Sequence, residues 1–236
     1  MSDWRTILRR LESAVEDVLR RGEREKRMGD LDQAPDPTTV VDRFASLPHL
    51  VAVDRARSEW ASEIREPPGS GWRRIDTYIR SSEGLGWPGA DAADLGKRVP
   101  YTKNRQFAWC GAFVAFCWSS VRSEIRRKHF SSCYRLWTWA KAEKRLVSTD
   151  EIRAGDIALV GNRKSRAWGA HVVLCTAGVV DDHVATIEGN AKGMGVDGNV
   201  YEGVIQRRRR ITPSESSEYY VMHVIRLSPQ DLTSAG

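Results

Sequence analysis

The stretch His171-Val172-Val173-Leu174-Cys175-Thr176-Ala177-Gly178-Val179-Val180-Asp181-Asp182-His183-Val184-Ala185-Thr186-Ile187-Glu188-Gly189-Asn190 decides the architecture. Two apolar runs rich in β-branched residues flank Asp181-Asp182, which reads as a hairpin with a two-residue turn. That turn puts Val173 opposite Asn190 and Cys175 opposite Glu188. Side chains alternate faces along a strand, so His171, Val173 and Cys175 then share a face with Glu188 and Asn190. His171 is diagonal to Asn190, within reach of a side-chain hydrogen bond. A loop longer or shorter by one residue would reverse these faces.

Outward from the hairpin, Asp156–Val160, Tyr201–Gln206 and Tyr219–Leu227 also read as strands, bounded by Gly, Asp, Asn or Ser clusters. Ahead of them the period is helical. Trp72–Arg80 is a short helix with Ile75, Tyr78 and Ile79 inward, Ser81–Pro100 is loop, and helices follow over Ala112–Val121 and near Ser131–Lys144. Helices first and strands afterwards predict an α+β fold with a mainly antiparallel sheet of five to six strands.

The N-terminal region differs. Trp4, Leu8, Leu11, Val15 and Val18 make one stripe of an amphipathic helix over residues 3–28, which docks on the protein's own body or on a protein partner. Val40–Ser46 and Leu50–Ile64 read as helices interrupted at Pro48, and Pro67-Pro68-Gly69-Ser70-Gly71 as a linker. The expected organisation is a helical docking or regulatory extension over 1–70, a functional domain over 71–228 and a tail over 229–236.

The 236 residues suffice for a proper core. Mean hydropathy of −0.48 and the lack of a long apolar run exclude a membrane span. Asp3, Glu12, Glu16 and Asp17 exclude a secretory signal, so synthesis is expected in the cytosol, with any work outside the cell requiring delivery by a dedicated secretion or lysis system. The four cysteines form no C-x-x-C pair and no metal-ligand spacing with the histidines, so no metal and no cofactor are expected, and the thiols are expected reduced. A net charge of +6, spread along the chain and mostly arginine, suits an anionic partner such as a cell-wall polymer or nucleic acid, or a compositional habit of the genome, and the expectation is no specific nucleic acid.

Trp109-Cys110-Gly111-Ala112-Phe113-Val114 carries the chemistry. Cys110 falls at a helix start, where unpaired N–H groups and the positive dipole end favour a thiolate. Gly111 leaves room for a substrate to approach the backbone. A buried cysteine is also an ordinary small hydrophobe. What separates the two readings is a base and a group that orients it, and His171 with Glu188-Gly189-Asn190 supplies both.

These segments together resemble the CHAP family, the cysteine- and histidine-dependent amidohydrolases/peptidases of the papain-like, NlpC/P60 superfamily. The resemblance spans about Arg74 to Leu227. It rests on Ala108–Val114, on Ala154-Gly155-Asp156-Ile157-Ala158-Leu159-Val160, on Gly169-Ala170-His171-Val172-Val173-Leu174 and on Thr186-Ile187-Glu188-Gly189-Asn190. It implies a papain-like fold with Cys110 as nucleophile, His171 as general base and then acid, Glu188 as its orienting carboxylate and Asn190 assisting. The oxyanion hole would combine the Cys110 N–H with an upstream side chain, Gln106 or Asn104, and the papain-like spacing selects Asn104. The usual substrate of the family is peptidoglycan, cut at the sugar–peptide amide or within the peptide by a lysin or an exported effector. Two other functions use the same residues: an intracellular cysteine protease acting as toxin or immune effector on cytosolic proteins, and a non-catalytic binding module.

Trp109 and Trp168 are candidates for stacking on substrate, with core packing as the alternative, as for Trp87, Trp137 and Trp139. Lys192–Asn199 reads as a mobile rim to the cleft. Arg207–Arg210 reads as a solvated run leading out of a strand, or as an anion site.

Overall fold

A computed structural model of the chain describes residues 47–66, 71–83, 109–213 and 219–233. Among these residues the fold is α+β. Helices α1 (Pro48–Ala61), α2 (Trp72–Glu83), α3 (Cys110–Cys117), α4 (Ser123–His129) and α5 (Cys133–Ala142) precede strands β1 (Leu146–Val147), β2 (Ile157–Gly161), β3 (His171–Val180), β4 (His183–Met194), β5 (Val200–Arg210) and β6 (Tyr220–Ile225). The sheet order is β1-β6-β2-β3-β4-β5. Its ladders are antiparallel except for one parallel pair, Arg210 with Tyr220, which brings the β5 edge back to β6 and makes the sheet mixed.

Strand alternation gives the sheet two apolar faces. Ile157, Leu159, Val172, Leu174, Ile187 and Ile225 pack with the helices in the main core. Ala158, Val160, Val173, Cys175, Val184 and Val224 form a smaller cluster. Helix α3 lies in the main core and is apolar on every side, with all of its residues but Phe116 buried. Its second residue is glycine for a packing reason. A Cβ on Gly111 would stand 1.8 Å from the Phe130 carbonyl oxygen, so the residue admits a neighbouring backbone rather than a substrate.

A helix starts at Pro48, two residues before the expected Leu50, after an extended Leu47. Pro48 occupies the first turn of α1, where its missing N–H costs nothing. Helix α1 belongs to the folded body: Ala52, Val53 and Ala56 are buried, and Glu59 accepts from Arg74 of α2 and from the Tyr78 hydroxyl. Beyond it, Arg65 bridges Gly203, the Val204 N–H donates to Ile64 (2.9 Å) and the Glu66 N–H to Glu202 (2.7 Å), so this segment covers the β5 edge. Likewise the tail expected from 229 onward is structural as far as Leu232. Asp231 is buried and takes both Arg145 donors (2.7 and 3.0 Å), and Leu232 bridges Val121.

The remaining differences are of extent. Helix α2 continues through Ser81 to Glu83, α3 starts two residues earlier than its periodicity suggests, and α4 and β1 had no sequence signal clear enough to read. Strands β4 and β5 run on to Met194 and from Val200, so most of Lys192–Asn199 is strand or tight turn. Arg65 holds its tip through Asp197 (2.5 Å) and lies over the Tyr201 ring (4.5 Å). The helix expected over 3–28, Val40–Ser46 and Trp87 lie outside the described residues, and no described helix is long and apolar enough to cross a membrane.

The Glu59 cluster should be what fastens α1 to α2. Glu59→Ala removes two charge-assisted acceptors from Arg74 and orphans the buried Tyr78 hydroxyl. We expect a loss of about 2–3 kcal/mol, discounted because Arg74 is partly solvated, measured as a lower urea midpoint with an unchanged slope.

Candidate active site

Cys110 is the first residue of α3, and Trp109 is its N-cap. Helix geometry leaves the first N–H groups without intrahelical partners, and the Gly111 and Val172 backbone N–H groups help to lower the Cys110 pKa. His171 opens β3 and pairs with the same thiol. Its Nε2 is 3.2 Å from Glu188 Oε2.

Burial by itself would keep the thiol protonated and the imidazole neutral. The pairing outweighs it. The charge and hydrogen bond of His171 lower the Cys110 pKa below its ordinary value. Against the same desolvation, Cys110 first and Glu188 second raise His171 to about 9. Each partner thus favours the charged form of the other.

Glu188 is fully buried, at 0% exposure. It accepts from Thr186 Oγ1 (2.7 Å) and, through both oxygens, from Arg209 Nε (2.7 Å) and Nη2 (2.5 Å), with Arg207 Nε 3.9 Å away. Desolvation opposes its ionisation, but the His171 and Arg209 hydrogen bonds and charges hold its carboxyl at about 2. Arg207 and Arg209 reach it because residues two apart on a strand share a face. The arginine run is thus part of β5, with Arg210 paired to Asp182 (2.8 Å). The alternation of Arg207 and Arg209 on the face of Thr186 and Glu188, with Arg207 directly opposite Thr186, was the available signal, hidden by placing the end of the strand at Gln206.

The turn at Asp181-Asp182 is as expected, with Val180 opposite His183 and both aspartates at positive φ. The register further along is not. An irregularity between Cys175 and Val179 shifts the ladder by two, so Cys175 faces Thr186 rather than Glu188. A shift of two preserves side-chain faces, which is why His171 still meets Glu188. Asn190 does not join them. The β4–β5 register shifts again between Glu188 and Ala191, and Asn190 takes φ +57°. Its Oδ1 accepts the Trp109 N–H at 2.8 Å, so Asn190 anchors the start of α3 instead of the imidazole.

Trp109 is no substrate platform. It is 3% exposed, stacks on Tyr78 (5.7 Å, 30°) and donates its indole N–H to Glu66 (2.7 Å). Gly189 completes the seat, since a Cβ there would lie 2.5 Å from both Trp109 and Phe113. Trp168 is half-buried and meets Tyr134 at 4.8 Å. Asn104 and Gln106 lie outside the described residues, and among those described no cluster of His, Cys, Asp or Glu could hold a metal.

Comparison with family models, with curated proteins and with solved structures gave no match for the chain.

The electrostatics predict selective labelling. Burial, and for Cys133 also the charge of Cys110, raises the other thiols, Cys133 to about 12. Near pH 7, iodoacetamide should label Cys110 alone, read by mass spectrometry, and His171→Ala should slow that reaction at least tenfold. Arg209→Met should cost about 3–5 kcal/mol, because it strips a buried carboxylate of its main partner. The sign of its pH dependence follows from the lowered Glu188 pKa. The deficit relative to wild type should be full above about pH 4.3, the ordinary Glu value, and should shrink as pH falls toward 2. Urea melts across that range measure it.

Proposed function

We propose that the chain is a cysteine amidohydrolase/peptidase with a papain-like, CHAP-type catalytic domain, cutting amide bonds of bacterial peptidoglycan. The observation that carries this reading is the buried Cys110–His171–Glu188 relay at the start of α3. An apolar helix packed on a largely antiparallel sheet, with Cys, His and Glu-Gly-Asn in that chain order, supports the fold assignment.

The thiolate of Cys110 attacks the carbonyl carbon, and the carbonyl electron pair moves to oxygen. Collapse expels the amine, which takes the proton from His171 and leaves a thioester on Cys110. His171, now neutral, removes a proton from water as the water attacks the thioester, and returns it as the thiol leaves or is retained as imidazolium beside the thiolate. Glu188 holds the ring in one orientation throughout. Part of its charge is committed to Arg209 and Arg207, so it contributes direction more than basicity. The Cys110 N–H and an upstream donor, Asn104 or Gln106, would bind the oxyanion. Delivery outside the cell as a lysin or effector accords with the substrate.

The test is digestion of purified sacculi by wild type and by Cys110→Ala, with new amine termini read by mass spectrometry. Wild type should release muropeptides or free peptides, and Cys110→Ala should be slower by on the order of 10³-fold or more. The rate should decline above about pH 9, as His171 loses the proton it gives to the leaving amine. Cleavage of cytosolic proteins in place of sacculi would assign an intracellular protease. No turnover on either, with no alkylation of Cys110, would leave a binding module.

A further inference from the structure

Arg126 on α4 is a cation without a counter-ion among the described residues. It is half-buried, its Nε is closed off from solvent, and none of its N–H groups donates to a described residue. A guanidinium carries five N–H donors and keeps its charge at any ordinary pH, so leaving them unused in a half-buried position costs free energy. The neighbours add to that cost. Burial first, then the charges of Arg127 and Arg55, lower the Arg126 pKa from its ordinary value, and no carboxylate opposes them. Two helices contribute to this convergence, since Arg55 belongs to α1 and the other two arginines to α4.

The other two arginines are held in place by neutral groups. Arg55 Nη1 donates to the Phe116 carbonyl (3.0 Å), one of the last carbonyls of α3, which fixes it at the negative end of that helix. Arg127 donates from Nε to the Ser123 carbonyl (3.4 Å) and from Nη2 to its Oγ (3.1 Å). Glu124 is the one acid between Val121 and Ala142, and it forms no ion pair with a described residue. It stands two positions from Arg126, where helical neighbours do not face each other. The two acids of α1, Asp54 and Glu59, are paired elsewhere, to Arg57 (3.3 Å) and to Arg74.

Three converging guanidinium groups with no carboxylate between them suit a tetrahedral oxyanion, which accepts several charge-assisted hydrogen bonds at once. A phosphoryl group brings up to two negative charges and three acceptor oxygens, and so meets three cations better than the single charge of a carboxylate. Nucleic acid also brings phosphates, but it binds along open cations interleaved with rings on which bases stack. Here the adjacent ring, Phe116, is already taken by Arg74 (4.7 Å), Tyr78 (5.0 Å) and Arg55 (5.4 Å), and Arg126 is half-buried. We infer that Arg55, Arg126 and Arg127 form a binding site for the phosphoryl group of a small ligand. The site stands apart from the amidohydrolase reading, since none of the three arginines belongs to the Cys110–His171–Glu188 relay.

The experiment titrates the full chain with inorganic pyrophosphate in chloride buffer of constant ionic strength, followed by calorimetry and thermal melts. Pyrophosphate at about 100 times its Kd should raise the melting temperature of wild type by about 5 °C or more. Arg126→Met and Arg127→Met should each raise the Kd at least about tenfold. Arg163→Met, which removes one exposed charge elsewhere, should leave it within about twofold. Without the anion, Arg126→Met should melt no lower than wild type, because it removes a repelled, unpaired charge and keeps an apolar stem. Absence of binding by wild type, or unchanged affinity in Arg126→Met, overturns the site. Equal losses in all three variants also overturn it, as a response to net charge alone. A lower melting temperature of anion-free Arg126→Met does the same, since a contact within the protein would then already satisfy Arg126. Oligothymidylate binding more tightly than pyrophosphate, with the same dependence on Arg126, would replace the small ligand by nucleic acid.

Discussion

The site depends on one buried carboxylate. Glu188 has no access to solvent, and an ionised carboxylate in that position is tolerated only when its charge and lone pairs are taken up locally. Arg209 and Thr186 do most of this, and His171 takes the remaining direction. The constraint propagates outward. Strand β5 must be long enough to present Arg209, β4 must keep its register up to Glu188, and β3 must begin where His171 can reach both Glu188 and Cys110.

The other half of the site is the seat of α3. A helix with no polar face cannot be located by amphipathicity and needs specific fastenings. Asn190 holds its cap residue by the backbone, Glu66 holds the Trp109 indole, and Gly111 and Gly189 let the Phe130 carbonyl and the Trp109 and Phe113 rings approach. The Glu-Gly-Asn segment thus serves the histidine with its first residue, and helix α3 with its second and third.

The sequence was most legible where period and turn chemistry agreed. The hairpin at Asp181-Asp182, the inward face of α2 and the placement of His171 on the face of Glu188 all follow from alternation or helical spacing. It was least legible where a local irregularity altered the count. The offset between Cys175 and Val179 moved every later cross-strand partner by two, and the left-handed backbone at Asn190 turned that side chain away from the ring. Neither leaves a mark in hydrophobic pattern. The reach of the body back to Pro48 was hidden differently: a Pro-Pro-Gly stretch reads as a boundary, whereas here the chain on its N-terminal side has already paired with β5.

That pairing makes the active site answerable to what lies upstream. Residues 64–66 are stitched along β5, and the Glu66 side chain reaches the cap residue of the nucleophile helix. The same carboxyl is raised above its ordinary pKa by burial first and then by the neighbouring Glu202, with the Trp109 hydrogen bond opposing them. Displacing the strand-like segment ahead of the linker pulls on a residue covalently bonded to Cys110. A pull on the chain at that point would reach α3 one peptide bond from Cys110.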